Sequence, residues 1–549
     1  MNEQLFVMSI IVVVVVALVA FQLYQKQKLK QLVKMNWGKL PRQPRFDKEE
    51  SLKKAWQIER ELTEWHSEID DITWYDLDLF DVFELVNHTY SSVGSEALYQ
   101  QLRNYTWTTD TELETLIDYY QHTPESREQI QYAFAALGKQ DNNLSKHYLA
   151  KKEKSHLGSF PFFILLGCLP IIGLLLFFLG IKEAIVLTIV SVIFNIIYYQ
   201  VKKAKLEIEL RSMSYLVQTI ATGTRIAKIK TPLQAEIQKS LQNLKSIPKL
   251  GIAFRTKSNS EAELFLDYFN MMIMLPFISY SVVLNKIARY NQEALRLWEL
   301  LGKLETAAAI LNFRTFMPVT CQPTFETGAV KAKNSYHPLL NEAVMNPVNG
   351  SQTTLITGSN ASGKSTYVKS IAINCILAQT IQTAVAESFT MQPGHVYTSM
   401  AVEDSLADGD SYFVAEIKSV KRLLTASTER CYCFVDEILK GTNTIERIAA
   451  SASIVHWLSQ TNSLAMVATH DIELTEMLKA DCANLHFSEQ VTADQGISFD
   501  YTVKEGPATT RNAIALLSVL NYPPEIVSQA QEKADTFDQQ RSWTPFQNS

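Results

Sequence analysis

Eight consecutive residues, Gly358 to Ser365, constrain the fold more than any other part of the sequence. They read GSNASGKS and fit the pattern G-x-x-x-x-G-K-[ST], in which glycines let backbone N–H groups turn towards phosphate oxygens. We call these residues the glycine loop. The apolar stretch TTLIT precedes the loop, and STYVKSIAINCILAQ continues from it with a helical pattern. This strand–loop–helix order predicts an α/β P-loop domain with phosphates bound at the start of the helix.

The loop and its flank are the candidate ATP-binding residues. They are Gly358, Ser359, Asn360, Ala361, Ser362, Gly363, Lys364, Ser365 and Thr366. Lys364 is expected to neutralise the β- and γ-phosphates, and the hydroxyl of Ser365 is expected to hold Mg²⁺.

A second half of the site is expected at the ends of two later apolar strands. CYCFVDE ends in Asp436, predicted to hold Mg²⁺, and in Glu437, predicted to be the general base for the attacking water. SLAMVATHD contains His470 near its end, where an imidazole can hydrogen-bond to the γ-phosphate or its water. Lys364, Glu437 and His470 are therefore candidate catalytic residues. Cys431 and Cys433 alternate along the first strand and are interpreted as packing residues.

The segment DGDSYFVAEIKSVKRLL predicts a helix capped by Asp410 or Ser411. Phe413, Ile417 and Val420 lie on its apolar face. A helix N-terminus with a hydroxyl group suits a phosphate, and an ordinary capped helix is the alternative interpretation.

Leu5 to Tyr24 is an apolar run without formal charge. About 20 helical residues cross the hydrocarbon layer of a membrane. A signal peptide carries its positive charges before the apolar run, whereas here Glu3 precedes it and the lysines follow it: Lys26, Lys28, Lys30 and Lys34. The order predicts a membrane anchor with the N-terminus outside.

A second apolar block extends from Leu157 to Gln200 and is divided by the polar break GIKEA. Lysines flank both ends: Lys151, Lys152, Lys154, Lys202, Lys203 and Lys205. Both flanks are therefore expected in the cytoplasm, so that the block forms two spans joined by a small outer loop. The three predicted transmembrane helices agree on a multi-pass protein of the inner cell membrane with its large parts in the cytoplasm. A buried helical pair in a soluble protein is the alternative.

The remaining sequence divides into helical and α/β regions. SEALYQQL and EALRLWELLGKLETAAAILNF have the apolar spacing of buried helical stripes, whereas the region after Met317 alternates strands and helices. The predicted domains are a transmembrane anchor (1–34), a helical core (35–155), a transmembrane hairpin (156–201), a second part of the helical core or lever (202–316), an ATPase domain (317–500), and a C-terminal helical dimerisation element with a tail (501–549).

Charge and cysteine content limit the classes of function. The formal net charge of -6 does not favour a strong grip on nucleic acid, although a local basic face can exist in an acidic protein. Six cysteines in 549 residues give no disulfide framework and no zinc pattern.

Several of these segments together resemble the MutS family. TLITGSNASGKSTYVKSIA is similar to that family's phosphate loop, DGDSYFVAEI to its signature segment, FVDEILKGTNTIER to its acidic strand, and ATHDIELTEM to its histidine motif. Upstream, YHPLL, NPV and DLDLFDVFELVNHTYSSVGSEALYQQLR resemble the lead into the ATPase and the start of the helical core. VKEGPATTRNAIALLSVLNYPPEIVSQAQEKA resembles the C-terminal dimerisation element.

The resemblance implies an ABC-like ATPase that uses ATP and Mg²⁺ and works as a homodimer. Ser411 would then contact the nucleotide of the partner subunit, and the ATPase would move helical arms that bind DNA. Because a predicted anchor occupies the N-terminus, the mismatch-reading domain is expected to be missing. Ala343 and Val344 lie near the position of the aromatic residue that usually stacks on adenine, which leaves recognition of the base open.

Three functions remain in competition. The first is a membrane-anchored MutS-like ATPase whose arms act on DNA, with a DNA-repair role by resemblance, or on an unidentified protein. The second is an ABC-type motor that serves a membrane protein or a transport process without binding DNA. The third is a scaffold that binds ATP without hydrolysing it, which Glu437 disfavours, because a scaffold needs no general base.

Overall fold

A computed structural model describes most of the chain. The described residues are 3–41, 48–62, 67–150, 160–251, 268–359, 362–400, 412–426, 430–492, 496–508, 513–520, 522–540 and 542–546. They divide into two compact units. The helical unit contains Met1–His66, Phe83–Gln101 and Asp110–Phe316, and the sheet unit contains Ser67–Val82, Leu102–Thr109 and Met317–Ser549.

The first part of the chain is helical. Its helices are α1 (Glu3–Asn36), α2 (Glu49–Leu62), α3 (Asp71–Asp76), α4 (Leu79–Val86), α5 (Ser92–Arg103), α6 (Thr111–His122), α7 (Pro124–Leu137), α8 (Ser145–Ala150), α9 (Phe160–Phe178), α10 (Ala184–Lys205), α11 (Glu207–Ile226), α12 (Gln234–Ser240), α13 (Ile247–Leu250), α14 (Leu275–Arg289) and α15 (Asn291–Phe316).

Helix α15 is the central helix of the helical unit. The sequence predicts an amphipathic helix here, but between Leu300 and Phe313 every residue except Lys303 is buried. Lys303 forms an ion pair with Glu112 of α6 at 2.6 Å. The helix is enclosed because its second half is built from small and apolar residues that neighbouring helices can approach closely.

One of the buried residues of α15 is a carboxylate. Glu305 is 1% exposed and accepts hydrogen bonds from the backbone N–H groups of Tyr90 and Ser91 and from the hydroxyl of Ser91. These donors lie at the start of α5, where the partial positive charge of a helix N-terminus favours an anion. A Cβ at Gly94 would lie 2.4 Å from the Glu305 carboxylate, so this close approach requires glycine.

Two helices of the helical unit are long and apolar enough, by length and composition, to cross a membrane. They are α9 and α10, which form an antiparallel hairpin and include the two spans predicted between Leu157 and Gln200. The first predicted span, Leu5–Tyr24, lies in α1, and many of its side chains fall outside the described part of the chain. That span stays a prediction. Farther along α1, Val33 is buried and Lys34 pairs with Glu128 of α7.

Asn195 connects the hairpin to the rest of the helical unit. Pro170 interrupts the backbone hydrogen bonds of α9 because it has no N–H, which leaves the carbonyl of Leu166 without its usual partner. The amide nitrogen of Asn195, on α10, donates to that carbonyl at 2.8 Å and to the carbonyl of Met272 at 2.7 Å. One buried side chain therefore joins α9, α10 and the residues that precede α14.

The sheet unit is built on a sheet of six strands in the order β12-β9-β4-β8-β7-β6. Strands β9, β4, β8, β7 and β6 run parallel, and β12 is antiparallel to β9. The strands of the chain are β1 (Thr324–Phe325), β2 (Val330–Ser335), β3 (Asn346–Gly350), β4 (Thr354–Thr357), β5 (Ser388–Met391), β6 (His395–Ser399), β7 (Cys431–Asp436), β8 (Leu464–Thr469), β9 (Ala483–His486), β10 (Glu489–Thr492), β11 (Gly496–Phe499) and β12 (Lys504–Glu505).

The sheet unit also contains helices, which lie between its strands or after its last strand in the chain. They are α16 (Lys364–Thr380), α17 (Tyr412–Ala426), α18 (Thr444–Ser459), α19 (Glu473–Met477), α20 (Ala513–Val519) and α21 (Pro524–Gln540). Strands β1, β5, β2 and β3 form a second sheet, and β10 pairs with β11. Since β4, β8 and β7 are parallel neighbours, the residues that follow them meet at one edge of the main sheet.

Segments from the N-terminal half of the chain complete the sheet unit. Asp76 of α3 accepts hydrogen bonds from the hydroxyl of Thr398 at 2.7 Å and from the N–H of Met400 at 3.0 Å. The hydroxyl of Tyr105 is 3.1 Å from the backbone nitrogen of Val396, which donates to it. The edge strand β6 is therefore covered by residues that precede it by about 300 positions.

Candidate functional site

The glycine loop joins β4 to α16 with two residues of positive φ. Gly358 has a φ of 145° and Gly363 a φ of 107°, values that favour glycine. A Cβ at Gly358 would lie 2.6 Å from the carbonyl oxygen of Phe487, and one at Gly363 would lie 3.2 Å from the ring of Tyr501. The loop therefore passes so close to its neighbours that side chains at these two positions would displace them.

Lys364 is the first residue of α16 and is 4% exposed. Its ammonium group donates hydrogen bonds to the carbonyls of Gly358 and Ser359 at 2.6 and 2.7 Å. Burial lowers the pKa of Lys364, against the opposing effect of the carboxylates of Glu437 and Asp436. The cation thus lies inside the curve of the glycine loop.

The other residues of the loop are described in part. Asn360 and Ala361 lie outside the described residues. Ser362 is buried, and its hydroxyl has no hydrogen-bond partner among the described residues. The hydroxyl of Ser359 donates to the carboxylate of Glu489 at 2.7 Å.

The end of β7 contributes two carboxylates to the same region. Asp436 ends the strand, and Glu437 follows with a φ of 62°. The N–H of Glu437 donates to the carbonyl of Ala468 on β8 at 2.9 Å, which holds the turn against the neighbouring strand. Leu439, two residues later, has a φ of 57°, so two residues without the freedom of glycine adopt the left-handed region here.

Two basic side chains approach the carboxylate of Glu437. The ring nitrogen Nδ1 of His470 lies 3.1 Å from one oxygen, and the Nζ of Lys440 lies 3.3 Å from the other. Burial acts to raise the pKa of Glu437, but the hydrogen bond from His470 and the charge of Lys440 together hold that pKa below its usual value. Glu437 is therefore ionised at neutral pH.

His470 also lies close to a second carboxylate. Its Nε2 lies 3.6 Å from the carboxylate of Asp471, which forms two hydrogen bonds with the guanidinium of Arg447 at 2.7 and 3.0 Å. The sequence predicted a contact of His470 with the γ-phosphate or its water. The structure adds that its ring contacts Glu437.

Some of these residues line one cavity of about 670 Å³, whereas Gly358, Ser362 and His470 are not among its described lining residues. The glycine loop and α16 contribute Ser359, Gly363, Lys364, Ser365 and Thr366, and the acidic strand end contributes Asp436 and Glu437. Lining residues that the sequence analysis did not select as site residues include Tyr336, His337, Leu340, Val344, Lys440, Phe487 and Tyr501. The cavity therefore has a charged region beside the glycine loop and further walls with apolar and aromatic residues.

Tyr501 is the most informative of the residues that sequence reasoning missed. It lies beside Gly363, has a φ of 50°, and stacks on Phe499 with 5.8 Å between ring centroids. Nothing in the local sequence marks this tyrosine as a cavity residue, because β11 and the residues after it reach the glycine loop only through the tertiary fold.

The remaining site prediction concerns the residues before α17. Ser411 lies outside the described residues, and its predicted contact with a partner subunit stays a prediction. The helix predicted to follow it is present from Tyr412 to Ala426.

The fold and the cavity define a mixed α/β unit accompanied by a helical unit. Residues 354–538, from β4 to α21, match the family model of MutS domain V. This match supports membership of the MutS family for the sheet unit of the chain. MutS domain V is the domain associated with ATPase activity in that family, whose members act as dimers and bind DNA. The matched region is about a third of the chain.

Proposed function

We propose that this protein is a membrane-bound ATPase of the MutS family. One observation carries the proposal: a single cavity is lined by Lys364 and Ser365 of the glycine loop and by Asp436 and Glu437 of the acidic strand end. In the proposed site, Lys364 binds the phosphates, Ser365 and Asp436 hold Mg²⁺, and Glu437 is the general base. The two pairs are far apart in sequence and meet because β4 and β7 are parallel strands of one sheet.

The cavity fits the phosphates of a nucleotide. The positive φ values of Gly358 and Gly363 let the loop curve around Lys364, and the N-terminus of α16 offers N–H groups without partners inside the helix. The hydroxyl of Ser362 is buried without a partner among the described residues, so an acceptor group at this place would satisfy it. Lys364 provides the positive charge for the phosphate oxygens.

The oxygen donors at the cavity also fit Mg²⁺. Ser365 offers a hydroxyl and Asp436 a carboxylate, and both line the cavity. Mg²⁺ at nucleotide sites is held by few protein oxygens, because it keeps several waters and binds phosphate oxygens directly. When bound, the ion would reduce the negative charge of the phosphates during their transfer.

Glu437 is suited to accept a proton from the attacking water. Its carboxylate is ionised, lines the cavity and is fixed by His470 and Lys440. Asp471, which pairs with Arg447, lies 3.6 Å from Nε2 of His470, so that the ring beside the general base has a carboxylate on each side. Lys364 balances the charge of the departing phosphates.

The aromatic wall of the cavity is suited to the base of the nucleotide. The Tyr501 ring beside Gly363 is partly exposed, and Leu340 and Val344 expose apolar side chains to the same cavity. Stacking on an aromatic ring and contact with aliphatic groups are common ways to hold a purine. Tyr501 thus supplies an aromatic surface that the sequence around Ala343 and Val344 lacks.

The surface of the hairpin formed by α9 and α10 supports a position in the membrane. Its buried residues include small and polar ones: Gly167, Pro170, Gly173, Ser191 and Asn195. Its exposed residues are large and apolar, and Leu175, Phe178, Val190 and Ile197 are each more than half exposed. A soluble protein shows the opposite arrangement, whereas lipid-facing helices show this one. Lys202, Lys203 and Lys205 in the last turn of α10 support a cytoplasmic end.

We further propose a homodimer in which Ser411 contacts the nucleotide of the partner subunit and the helical unit carries the resulting movement. DNA is the proposed cargo, because members of the family bind DNA. A membrane protein is the second candidate, favoured by the hydrogen bonds through which Asn195 joins the hairpin to the helical unit.

The decisive experiment uses Glu437→Gln in the full-length protein. This variant is expected to bind ATP with wild-type affinity and to lose about a hundredfold or more in turnover, because the proton acceptor is missing. Lys364→Ala is the matched control and is expected to lose nucleotide affinity. Recovery of the ATP-loaded Glu437→Gln dimer with DNA or with a membrane protein would separate the two cargoes. Wild-type turnover in Glu437→Gln would contradict the assignment of the base.

A further inference from the structure

Glu416 is a buried carboxylate outside the residues considered so far. It lies on α17, is 3% exposed, and accepts a hydrogen bond from the backbone N–H of Lys440 at 2.9 Å. Its second oxygen has no hydrogen-bond partner among the described residues. Burying a carboxylate with one oxygen unpaired costs free energy. We therefore expect its remaining hydrogen bond to fix the position of another group.

The contact of Glu416 lies at the end of a strained turn. Glu437 and Leu439 both have positive φ, and Lys440 follows them. Ile438 and Leu439 are buried in the apolar core of the sheet unit, whereas Glu437 and Lys440 line the cavity. Residues held in this conformation need surrounding contacts that keep them there.

Three hydrogen bonds hold the turn along its length. The N–H of Glu437 donates to Ala468 on β8, and the hydroxyl of Ser451 on α18 donates to the carbonyl of Ile438 at 3.3 Å. The third joins Lys440 to Glu416 and has a charged acceptor, which makes it stronger than a bond between neutral groups. It also fixes the residue whose side chain pairs with the carboxylate of Glu437.

We infer that Glu416 is a positioning residue for the proposed general base. By holding the N–H of Lys440, it fixes the last residue of the turn, and through that turn the direction of the Glu437 carboxylate. The inference rests on the proposed ATPase function, and Glu416 itself need not touch the nucleotide. It assigns α17 a role in catalysis that is separate from the predicted contact of Ser411.

The test compares three variants in the full-length protein. Glu416→Ala removes the acceptor and is expected to lower kcat about 10- to 100-fold with KM for ATP within about twofold, because the base is displaced while the phosphate contacts remain. Glu416→Gln keeps an oxygen acceptor and is expected to recover most of the rate. Ser419→Ala is the matched control, since Ser419 is buried on the same helix and bonds to Ser399 at 3.0 Å.

Two further measurements separate positioning from general damage. In a Glu437→Gln background, Glu416→Ala is expected to lower the rate little further, because both changes act on one group. Without nucleotide, amide hydrogen exchange in residues 436–443 is expected to accelerate in Glu416→Ala and not in Ser419→Ala.

Unchanged exchange in Glu416→Ala, or rate effects that multiply with those of Glu437→Gln, would overturn the inference and leave the ATPase proposal intact. A wild-type protein without ATP turnover would overturn the proposed function. Hydrogen exchange would then still report whether Glu416 holds the turn.

Discussion

At the scale of single residues, the site contains two kinds of position. Some residues can be recognised in the sequence from their chemistry, and others reach the site only through the tertiary fold. Gly358, Gly363 and Lys364 are recognisable because the backbone conformation and the charge tolerate few other residues. Tyr501 is a common residue type with no local pattern, and nothing in the segment DGDSYFVAEI marks its Glu416 as buried against the turn after β7. Their places in the site depend on neighbours far away in the sequence.

Tyr501 provides a prediction about the nucleotide base. Tyr501→Ala removes the ring beside Gly363 and is expected to raise the KM for ATP about tenfold with a small change in kcat, because stacking acts equally on the ground state and the transition state. Tyr501→Phe keeps the ring and is expected to behave like the wild type. Steady-state kinetics with ATP would show this, and an unchanged KM in Tyr501→Ala would assign the base elsewhere in the cavity.

Much of the site could be predicted from the sequence, for a physical reason. A strand followed by glycines and a lysine, and a second strand ending in two acids, bring their own geometry with them, since parallel strands end at one edge. The contact of His470 with Glu437, the bond from Ser359 to Glu489 and the anchor at Glu416 could not be predicted. They depend on side-chain directions that only the packed fold determines.

At the scale of elements, helix periodicity predicted α15 but not its enclosure. Amphipathic spacing indicates one buried face, yet from Leu300 onwards helices pack around this helix on several sides. The carboxylate of Glu305 is buried for the same reason. No sequence pattern separates such a residue from an exposed glutamate on a helix of this kind.

Glu305 makes the stability of the helical unit depend on pH. Burial raises the pKa of Glu305 to about 7, against the opposing hydrogen bonds from Ser91 and Tyr90 and the charge of Lys139. The folded state therefore binds a proton that the unfolded state releases between about pH 4.5 and pH 7, so this contribution to stability falls as pH rises through that range.

The corresponding variant is Glu305→Gln in the full-length protein. Its thermal midpoint, relative to that of the wild type, is expected to rise between pH 5 and about pH 8, because glutamine has no proton to lose. Glu293→Gln, a change on the exposed side of the same helix, is the control and is expected to track the wild type. A constant difference between Glu305→Gln and the wild type across this range would refute the assignment.

Asn195 provides the second prediction at this scale. Asn195→Leu leaves the carbonyls of Leu166 and Met272 without their donor in an apolar environment, which costs on the order of 1 to 2 kcal/mol. The thermal midpoint of the purified protein in detergent is expected to fall. Ser191→Ala, which loses only a bond within α10 to Thr188, is expected to change it less. Equal midpoints for the two variants would remove the special role of Asn195.

At the scale of the whole molecule, the chain order does not follow the compact units. Ser67–Val82 and Leu102–Thr109 belong to the sheet unit, although the sequence analysis assigned both to the helical core. Their bonds to the sheet unit include Asp76 to Thr398 and an ion pair between Asp70 and Arg422. Contacts over such separations leave no trace in local composition, which is why the domain prediction rested on the change near Met317.

A fragment that starts at Met317 tests this arrangement. Without residues 67–109, the edge strand β6 loses its cover and the donors of Thr398 and Met400 lose Asp76. Such a fragment is expected to aggregate or to unfold at a clearly lower temperature than the same unit in the full-length protein. Asp76→Asn in the full-length protein is a milder test of the same contact. The prediction would be wrong if both the fragment and this variant were as stable as the wild type.

The cargo proposal makes a prediction about salt. Along the chain from the end of α11 to α13, the helical unit exposes several cationic residues: Arg225, Lys228, Lys230, Lys239, Lys245 and Lys249. If these residues contact DNA phosphates, the affinity falls steeply with salt, and replacing Lys228 and Lys230 by glutamine lowers the slope of log K against log salt by about 2. Filter binding of duplex DNA at several salt concentrations measures this. No retention of DNA at low salt would favour a protein cargo.

The bond from Asn195 to Met272 has a consequence for how the protein is made. The two residues are 77 positions apart, and the ribosome needs about 4 to 15 s to synthesise that length. Until then the hairpin carries an amide group that lacks one of its final acceptors. In the proposed membrane location, insertion of the hairpin would therefore be complete only when residues made later return to it, so that a stalled or truncated chain would leave an unpaired amide group as a recognisable defect.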